Sequence, residues 1–239
     1  MIFTVKEHTQ LTPWVWKMVL AGDASGNTRP GQFVQIDVPG FYLRRPISVC
    51  DWTKDSLTLV YKVVGLGTEA MSQMPIGQQL DLLTGLGNGF DPEKCGDHPL
   101  LVGGGVGAPP LYGLCRTLVE MGKKPRVILG FNTAEEVFLK EDFEKLGVRV
   151  DITTVDGTMG VKGFVTACMD VPHDYLYACG PEPMLKAAAF HSDVPGQLSF
   201  EERMACGFGA CMGSSCKTKY GNKRICKDGP VMVKEEVIW

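Results

Sequence analysis

The fold is decided by the stretch Pro99-Leu-Leu-Val-Gly-Gly-Gly-Val-Gly-Ala-Pro-Pro-Leu111. It begins with an apolar run typical of a buried strand, and Gly103 to Ala108 follow the G-x-G-x-x-A pattern of a dinucleotide-binding turn. Pro109 and Pro110 suit the first turn of a helix, because the amide hydrogens there have no partner within the helix. The stretch therefore predicts a strand, a glycine turn and a helix, the first unit of a nucleotide-binding α/β domain.

Strand-like and helix-like segments alternate after this turn. Apolar segments occur at 126–129, 148–152 and 175–178, and a second turn, Cys179-Gly-Pro-Glu-Pro-Met184, follows the last of them. This alternation predicts a parallel sheet with a nucleotide at the carboxyl ends of its strands. We expect the dinucleotide to lie against the residues of both turns, namely Gly103, Gly104, Gly105, Gly107, Gly180 and Pro181. Cys179 is a candidate catalytic residue near the nicotinamide. The alternative is that it is a small residue packed in the protein interior.

The first third of the chain has a different pattern. Segments 14–20, 32–38 and 56–64 are short, rich in β-branched or aromatic residues, and separated by turns of Gly, Pro, Asp and Asn. They predict a small antiparallel β-barrel. We therefore expect an α/β multidomain protein with a barrel at 1–96, a nucleotide-binding domain at 97–196 and a cysteine-rich subdomain at 197–239.

Four cysteines lie close together near the end of the chain, at Cys206, Cys211, Cys216 and Cys226. The small residues between them allow the backbone to wrap tightly and to direct N–H groups at sulfur, as an iron–sulfur loop requires. The spacing is x4, x4 and x9, whereas the plant-type loop has x4 and then x2. Either Cys216 is the third ligand, which its soft thiolate favours, or Ser214 supplies an oxygen in its place.

Two other uses of these cysteines are possible. Four thiols also form closed zinc sites, although no Cys-x2-Cys knuckle or nearby histidine supports zinc here. Disulfides are disfavoured because the cysteine count of 9 is odd and the N-terminus carries no signal-peptide pattern. The pattern favours a [2Fe-2S] cluster and hence single-electron transfer.

Composition excludes several functional classes. The net charge is −3 and the basic residues are scattered, which argues against a nucleic-acid partner. No apolar run approaches the roughly 20 residues that a membrane-spanning helix needs. We expect a cytoplasmic protein with no membrane partner.

The predicted barrel carries a second set of phosphate-binding features. Arg45 lies in the segment Leu43-Arg-Arg-Pro-Ile-Ser48, and Gly65-Leu-Gly-Thr-Glu-Ala70 opens a predicted helix. A guanidinium group and free helix N–H groups both bind phosphate. Arg45 and Thr68 are thus candidates for holding a pyrophosphate, and their position before a nucleotide-binding domain points to a flavin.

Six motifs in this order resemble the ferredoxin–NADP reductase superfamily, and among its members the electron-transfer subunits of type B dihydroorotate dehydrogenases. The resemblance spans nearly the whole chain and departs from the family at Ser214, where a ligand cysteine is usual. The motifs are Arg45-Pro-Ile-Ser48, Gly65-x-Gly-Thr68, Leu83-Thr-Gly-Leu-Gly-Asn-Gly-Phe90, Val102-Gly-Gly-Gly-Val-Gly-Ala-Pro-Pro-Leu111, Ala178-Cys-Gly-Pro-Glu-Pro-Met-Leu185 and Glu202-Arg-Met-Ala-Cys-Gly-Phe-Gly-Ala-Cys211.

The resemblance implies FAD, a [2Fe-2S] cluster and NAD as cofactors. It also implies an FMN-containing catalytic subunit as partner, with two copies of each chain, in pyrimidine (UMP) biosynthesis. Electrons from dihydroorotate would pass through the cluster and FAD to NAD⁺, and no residue of this chain need act as acid or base. By the same resemblance, FAD is held by Arg45, Pro46, Ile47, Ser48, Lys62, Val63, Val64, Gly67 and Thr68.

Several alternatives stay open at this point. The same cofactors would serve the flavin and iron–sulfur subunit of a sulfhydrogenase or of an NADH-dependent ferredoxin:NADP oxidoreductase, and a zinc-stabilised nucleotide-binding module is a further possibility. Glu135 and Glu136 would repel a 2′-phosphate and so favour NAD over NADP, with Lys140 offsetting part of that charge. The tail 231–239 either contributes to the partner interface or packs Trp239 on its own domain.

Overall fold

The structure is a computed structural model that describes residues 1–211 and 213–239. The first part contains six strands and one helix, namely β1 (Ile2–Gln10), β2 (Val15–Ala21), β3 (Phe33–Ile36), β4 (Arg45–Trp52), β5 (Ser56–Lys62), α1 (Leu66–Ser72) and β6 (Gln79–Leu86). These strands form a closed barrel in the order β1-β2-β5-β4-β3-β6, with antiparallel pairing. The predicted antiparallel barrel is confirmed.

The barrel closes around its own apolar core. Leu57, Leu59 and Tyr61 alternate along β5 and are buried, as the period of two in a strand requires when one face points inward. Phe3 and Met18 pack in the same cluster from β1 and β2. The barrel interior is therefore filled by side chains, and a cofactor can bind only at its rim.

The second part is a layered α/β unit. Its elements are β7 (Pro99–Gly104), α2 (Ala108–Glu120), β8 (Arg126–Phe131), α3 (Lys140–Lys145), β9 (Arg149–Thr154), β10 (Val161–Lys162), β11 (Tyr175–Cys179), α4 (Glu182–His191) and β12 (Gly196–Ser199). The sheet has the strand order β10-β9-β8-β7-β11-β12 in parallel pairs. The predicted parallel sheet is confirmed, and β7 lies beside β11 at its centre.

A close contact joins the barrel to the α/β unit. Gly113 of α2 faces β4, and a β-carbon there would lie 2.9 Å from the carbonyl oxygen of Cys50. One helical turn later, the Arg116 guanidinium lies 2.9 Å from the Asp51 carboxylate. Buried residues of both parts, such as Val60 and Leu114, belong to one apolar cluster. This shared core fixes the barrel rim relative to the carboxyl edge of the sheet.

The C-terminal part leaves the sheet and returns to it. Strands β13 (Ser215–Thr218) and β14 (Gly221–Arg224) form an antiparallel hairpin, and β15 (Val231–Val233) then pairs antiparallel with β12. The predicted boundary at 196/197 falls at the first residue of β12, and the three-domain division remains a prediction. In the described residues, the helices are too short or too polar to span a membrane.

The chain's last residue packs inward. The Trp239 ring lies 5.8 Å from the Phe200 ring and 6.4 Å from the Phe190 ring, measured between centroids. Val237, two residues earlier, is buried in the same apolar cluster as Leu198 of β12. The structure thus shows Trp239 packed within its own chain, and a role of the tail at a partner interface remains a prediction.

Candidate functional site

The two predicted glycine turns meet at the carboxyl edge of the sheet. Gly103 and Cys179 are register partners on β7 and β11, so the turns that follow them are neighbours. A β-carbon at Gly107 would overlap the carbonyl group of Cys179, and one at Gly104 would lie 2.5 Å from Met184 Sδ. At Gly107 the neighbouring atoms are backbone atoms, so only glycine permits this approach, and the two turns form one continuous edge. That edge is where parallel α/β sheets bind nucleotides.

The positive φ of Gly180 completes this edge. Its φ is +155°, and a β-carbon there would lie 3.1 Å from the backbone nitrogen of Gly104. The next residue, Pro181, is exposed and occupies the position just before the first residue of α4. The predicted dinucleotide residues of both turns are thus brought together, while their role in binding remains a prediction.

Cys179 stands at this edge as a neutral thiol. Desolvation by burial raises its pKa to about 12, although a hydrogen bond with Ser199 acts in the opposite direction. A thiol with this pKa stays protonated near neutral pH and is a poor nucleophile or base. Cys179 can line the nicotinamide site, but its environment does not activate it for acid–base chemistry.

Arg45 and Gly67 form the centre of the candidate flavin site. A β-carbon at Gly67 would overlap the Arg45 guanidinium, so the cation lies directly on the backbone of α1. Arg45 also donates to the Leu43 carbonyl and lies 4.9 Å from the centroid of the Phe41 ring. These contacts hold a half-buried cation at the barrel rim, where it can bind a diphosphate.

The Thr68 hydroxyl is hydrogen-bonded within its own turn. Its hydroxyl accepts hydrogen bonds from the backbone N–H of Val64 at 2.9 Å and of Gly65 at 3.3 Å, and donates to the Gly65 carbonyl at 3.0 Å. The hydroxyl therefore shapes the turn that faces Arg45. Direct contact of Thr68 with a pyrophosphate remains a prediction.

The other predicted FAD residues converge on the same rim. Because β4 and β5 are antiparallel neighbours, the start of β4 lies beside the end of β5. The start of β4 carries Pro46, Ile47 and Ser48, and the end of β5 with the residues after it carries Lys62, Val63 and Val64. Val64 is 79% exposed, so an apolar surface is available beside the cation. A flavin fits this arrangement of cation and apolar rim.

Two cysteines of the loop face each other on the protein surface. Cys206 Sγ lies 3.4 Å from Cys211 Sγ, and Cys211 is exposed. Desolvation opposes ionisation of Cys206, but backbone N–H groups of Cys211, Phe208 and Ala210 outweigh it, and the pKa of Cys206 falls to about 6. Backbone amides directed at sulfur stabilise a thiolate, the form that binds metal.

A second pair of possible donor atoms lies inside the loop, at Ser214 and Cys226. Ser214 Oγ donates a hydrogen bond to Cys226 Sγ at 3.2 Å, and the two residues are 2% and 3% exposed. Cys216, which the sequence favoured, is half-buried on β13 and packs against an apolar cluster. The structure therefore places Ser214 next to Cys226 and Cys216 against the apolar cluster, and which of the two binds the cluster remains a prediction.

This pairing of donors fits a binuclear cluster better than a single ion. Among the described residues, no three His, Cys, Asp or Glu side chains are grouped so that they could hold one metal ion. Two sulfurs on one tetrahedral metal, with bonds of about 2.3 Å, lie about 3.8 Å apart. The separation of 3.4 Å between Cys206 and Cys211 is close to that value. Two pairs of donors suit two metal atoms.

Sequence reasoning missed Gln35. Its side chain is fully buried, and neither amide atom has a hydrogen-bond partner in the described structure. It lies against Gly207, where a β-carbon would overlap Nε2. A polar residue at the centre of the apolar run Phe33–Ile36 was the available signal.

The predicted ribose-binding acids lie after β8. Glu136 accepts hydrogen bonds from the backbone and the side chain of Asn132 at 3.2 and 2.8 Å, whereas Glu135 is exposed. Lys140 pairs with Glu144 at 2.7 Å. Glu135 is therefore the carboxylate available to a ribose, and Lys140 is engaged elsewhere.

The chain is similar to proteins of one family along nearly its whole length. Residues 201–238 match the iron–sulfur cluster binding domain of dihydroorotate dehydrogenase B. The chain is 41% identical over 249 residues to the dihydroorotate dehydrogenase B (NAD(+)) electron transfer subunit of Bacillus pumilus (strain SAFR-032), with 98% of this chain and 96% of the relative covered. The corresponding subunit of Fusobacterium nucleatum subsp. nucleatum is 40% identical over 251 residues, with the same coverage.

Solved structures agree in fold. The structure of an NADH-dependent reduced ferredoxin–NADP oxidoreductase, described in connection with flavin-based electron bifurcation, superposes with a TM-score of 0.90 at 28% identity, covering 100% of this chain and 90% of that chain. A cytochrome P450 reductase of Amycolatopsis has a TM-score of 0.70 at 22% identity, covering 80% and 65% of the two chains. The second likeness concerns the fold alone.

Proposed function

We propose that this chain, which belongs to the family of dihydroorotate dehydrogenase B electron transfer subunits, passes electrons from a dihydroorotate-oxidising partner to NAD⁺. The observation that carries the proposal is the presence, in one chain, of a candidate flavin rim, a dinucleotide edge and a cysteine loop. A pure one-electron carrier has no need of the dinucleotide edge. A zinc-stabilised module has no need of the flavin rim.

The sequence comparisons give less support to a role in one of the related oxidoreductases that use the same cofactors. Relatives named as dihydroorotate dehydrogenase B subunits reach 40–42% identity over 98% of this chain. The solved oxidoreductase with the TM-score of 0.90 is 28% identical. The difference in sequence similarity favours dihydroorotate as the electron source over ferredoxin or a sulfur compound.

The chain's residues bind and orient the cofactors rather than transfer protons. FAD, when bound, exchanges either single electrons or a hydride and so connects a one-electron [2Fe-2S] cluster with the two-electron carrier NAD⁺. Arg45 and the rim of β4 and β5 hold the flavin, and the edge formed by Gly104, Gly107 and Gly180 holds the dinucleotide. Cys179 lines this site as a neutral thiol.

The partner is an FMN-containing catalytic subunit, with two copies of each chain in the complex, in the cytoplasm. The cysteine loop is the surface that suits its docking, because a cluster must lie near its electron donor. Phe208, between Cys206 and Cys211, is 56% exposed and offers an apolar contact there. Trp239, by contrast, is engaged within its own chain.

The proposal is tested by co-expression of this chain with a dihydroorotate dehydrogenase catalytic subunit that contains FMN. We expect the two chains to co-purify and to reduce NAD⁺ when dihydroorotate is added, with orotate formed in equal amount. This chain alone should retain FAD and be reduced by NADH without oxidising dihydroorotate. A complex that reduces NAD⁺ from reduced ferredoxin or polysulfide but not from dihydroorotate would overturn the proposal.

A further inference from the structure

We propose that the side-chain oxygen of Ser214 is a cluster ligand, the third in chain order, alongside Cys206, Cys211 and Cys226. The inference rests on the proposed function, because it presupposes a bound cluster, and it concerns which side chains hold that cluster. It gives the chain a mixed set of three sulfur ligands and one oxygen ligand, and it leaves Cys216 outside the set.

Ser214 lies within ligand distance of the same metal as Cys226. Its oxygen lies 3.2 Å from Cys226 Sγ, and both residues are almost completely buried. Oxygen and sulfur on one tetrahedral metal, with bonds of about 2.0 and 2.3 Å, lie about 3.5 Å apart. The observed separation is close to that value. Ser214 and Cys226 thus form a donor pair of the same kind as Cys206 and Cys211.

The register of the β13–β14 hairpin keeps Cys216 away from Cys226. Cys216 is opposite Lys223, and Ser215 is opposite Arg224. The Ser214 carbonyl accepts a hydrogen bond from the backbone N–H of Ile225 at 2.8 Å. The backbone pairing of the hairpin therefore extends one residue beyond Ser215 and Arg224 and brings Ser214 beside the residue that precedes Cys226. Cys216 lies two residues farther along its strand, which corresponds to about 7 Å.

Several contacts hold this register. The Thr218 hydroxyl donates to the Gly221 carbonyl at 2.7 Å, and the backbone N–H of Ile238 donates to the Lys217 carbonyl of β13 at 3.3 Å. To bring Cys216 to Cys226, the hairpin would have to slip by two residues and break these bonds. Cys216 would also leave the apolar cluster that contains Met232 and Val237. Register is strongly specified when one face of a strand is packed in this way.

The chemistry of ligation is an exchange of protons for metal bonds. Each of Cys206, Cys211 and Cys226 binds iron as a thiolate, so any proton that its sulfur still carries is released to solvent, and the Ser214 hydroxyl releases its proton when its oxygen binds. A bound metal ion lowers the pKa of an oxygen ligand strongly, as it does for water. Oxygen is a harder donor than sulfur and favours the ferric state, so the mixed set lowers the reduction potential of the cluster.

The test compares the wild-type chain with Ser214→Cys, Ser214→Ala and Cys216→Ala, each purified without oxygen. Iron, acid-labile sulfide and FAD are counted per chain, and the electron paramagnetic resonance spectrum and midpoint potential are recorded after reduction with dithionite. We expect roughly two irons and two sulfides in the wild type and in Cys216→Ala, with the same spectrum. Ser214→Cys should keep the cluster with a changed spectrum and a higher potential. Ser214→Ala should lose most of the iron while retaining FAD.

Two results would overturn the ligand assignment alone. One is loss of the cluster in Cys216→Ala together with an unchanged cluster in Ser214→Ala. The other is a Ser214→Cys chain whose spectrum and midpoint potential equal those of the wild type. This variant tests the assignment even if Ser214→Ala does not fold. A wild-type chain without iron and sulfide would overturn the proposed function as well, which separates the two failures.

Discussion

The side chain of Gln35 lies directly against the backbone of Gly207, and a β-carbon on Gly207 would overlap Gln35 Nε2. Gln35 belongs to β3, the strand that pairs with the Arg45–Ser48 end of β4, whereas Gly207 follows the first cysteine of the loop. The barrel rim and the cysteine loop are thus in contact. A change at this contact tests whether the loop depends on the barrel for its shape.

The first prediction concerns Gly207→Ala. The φ of Gly207 is +77°, and the added methyl group would overlap Gln35. Both effects displace the residue next to Cys206, so we expect a cluster content reduced several-fold while FAD is retained. Gly213→Ala is the control, because its β-carbon would lie 3.6 Å from Cys211 Sγ, an ordinary contact. Equal iron content in the two variants would contradict the prediction.

The second prediction concerns FAD binding by Arg45. Removal of a charged hydrogen-bond donor costs about 1.5–3 kcal/mol. Arg45→Ala should therefore weaken FAD binding roughly tenfold to over a hundredfold, measured as FAD retained after dialysis. The neighbouring Arg44 pairs with Asp81 at 2.5 Å, away from Gly67, and Arg44→Ala should retain its FAD. Unchanged FAD content in Arg45→Ala would refute the assignment of the flavin rim.

Features encoded locally could be predicted from the sequence. The strand, glycine turn and helix of 99–120 depend on neighbouring residues, and the structure has them at β7 and α2. The meeting of Gly107 with the Cys179 carbonyl followed from the rule that parallel strands end at one edge.

Features set by distant pairing could not be predicted. Cysteine spacing does not specify which residues of β13 and β14 are opposite, and that register decides between Ser214 and Cys216. The contact of Gln35 with Gly207 joins parts of the chain that no local pattern relates. The position of Trp239 was equally undetermined, because an apolar residue at a chain end suits an interface and a core alike.

The third prediction concerns the candidate catalytic residue Cys179. Because burial raises its pKa to about 12, the thiol stays protonated between pH 6 and 9 and contributes no ionisation there. Reduction of the bound FAD by NADH should therefore have the same pH profile in Cys179→Ala as in the wild type, by stopped-flow absorbance. An inflection near neutral pH that disappears in the variant would show that Cys179 takes part in proton transfer.

The fourth prediction separates the internal tail from the partner surface. Trp239 is half-buried against Phe200, so Trp239→Ala should lower the free energy of unfolding by about 1–3 kcal/mol, less than the 3–5 kcal/mol of a fully buried aromatic residue. Phe208 is 56% exposed in the cysteine loop, so Phe208→Ala should leave stability unchanged within about 0.5 kcal/mol. Urea unfolding of each variant measures the difference.

In partner binding, Phe208→Ala should have the larger effect and Trp239→Ala the smaller one, the reverse of their effects on stability. Loss of Phe208 removes an apolar contact at the proposed docking surface, and we expect the Kd for the FMN subunit to rise about tenfold, which corresponds to about 1.4 kcal/mol. Trp239→Ala should bind the FMN subunit with the same Kd as the wild type, provided that the measurement is made below the unfolding temperature of the variant. Surface plasmon resonance measures both Kd values. If Trp239→Ala weakens binding and Phe208→Ala does not, the partner docks on the tail. The packing of Trp239 on Phe200 would then hold the tail in the shape that the partner binds.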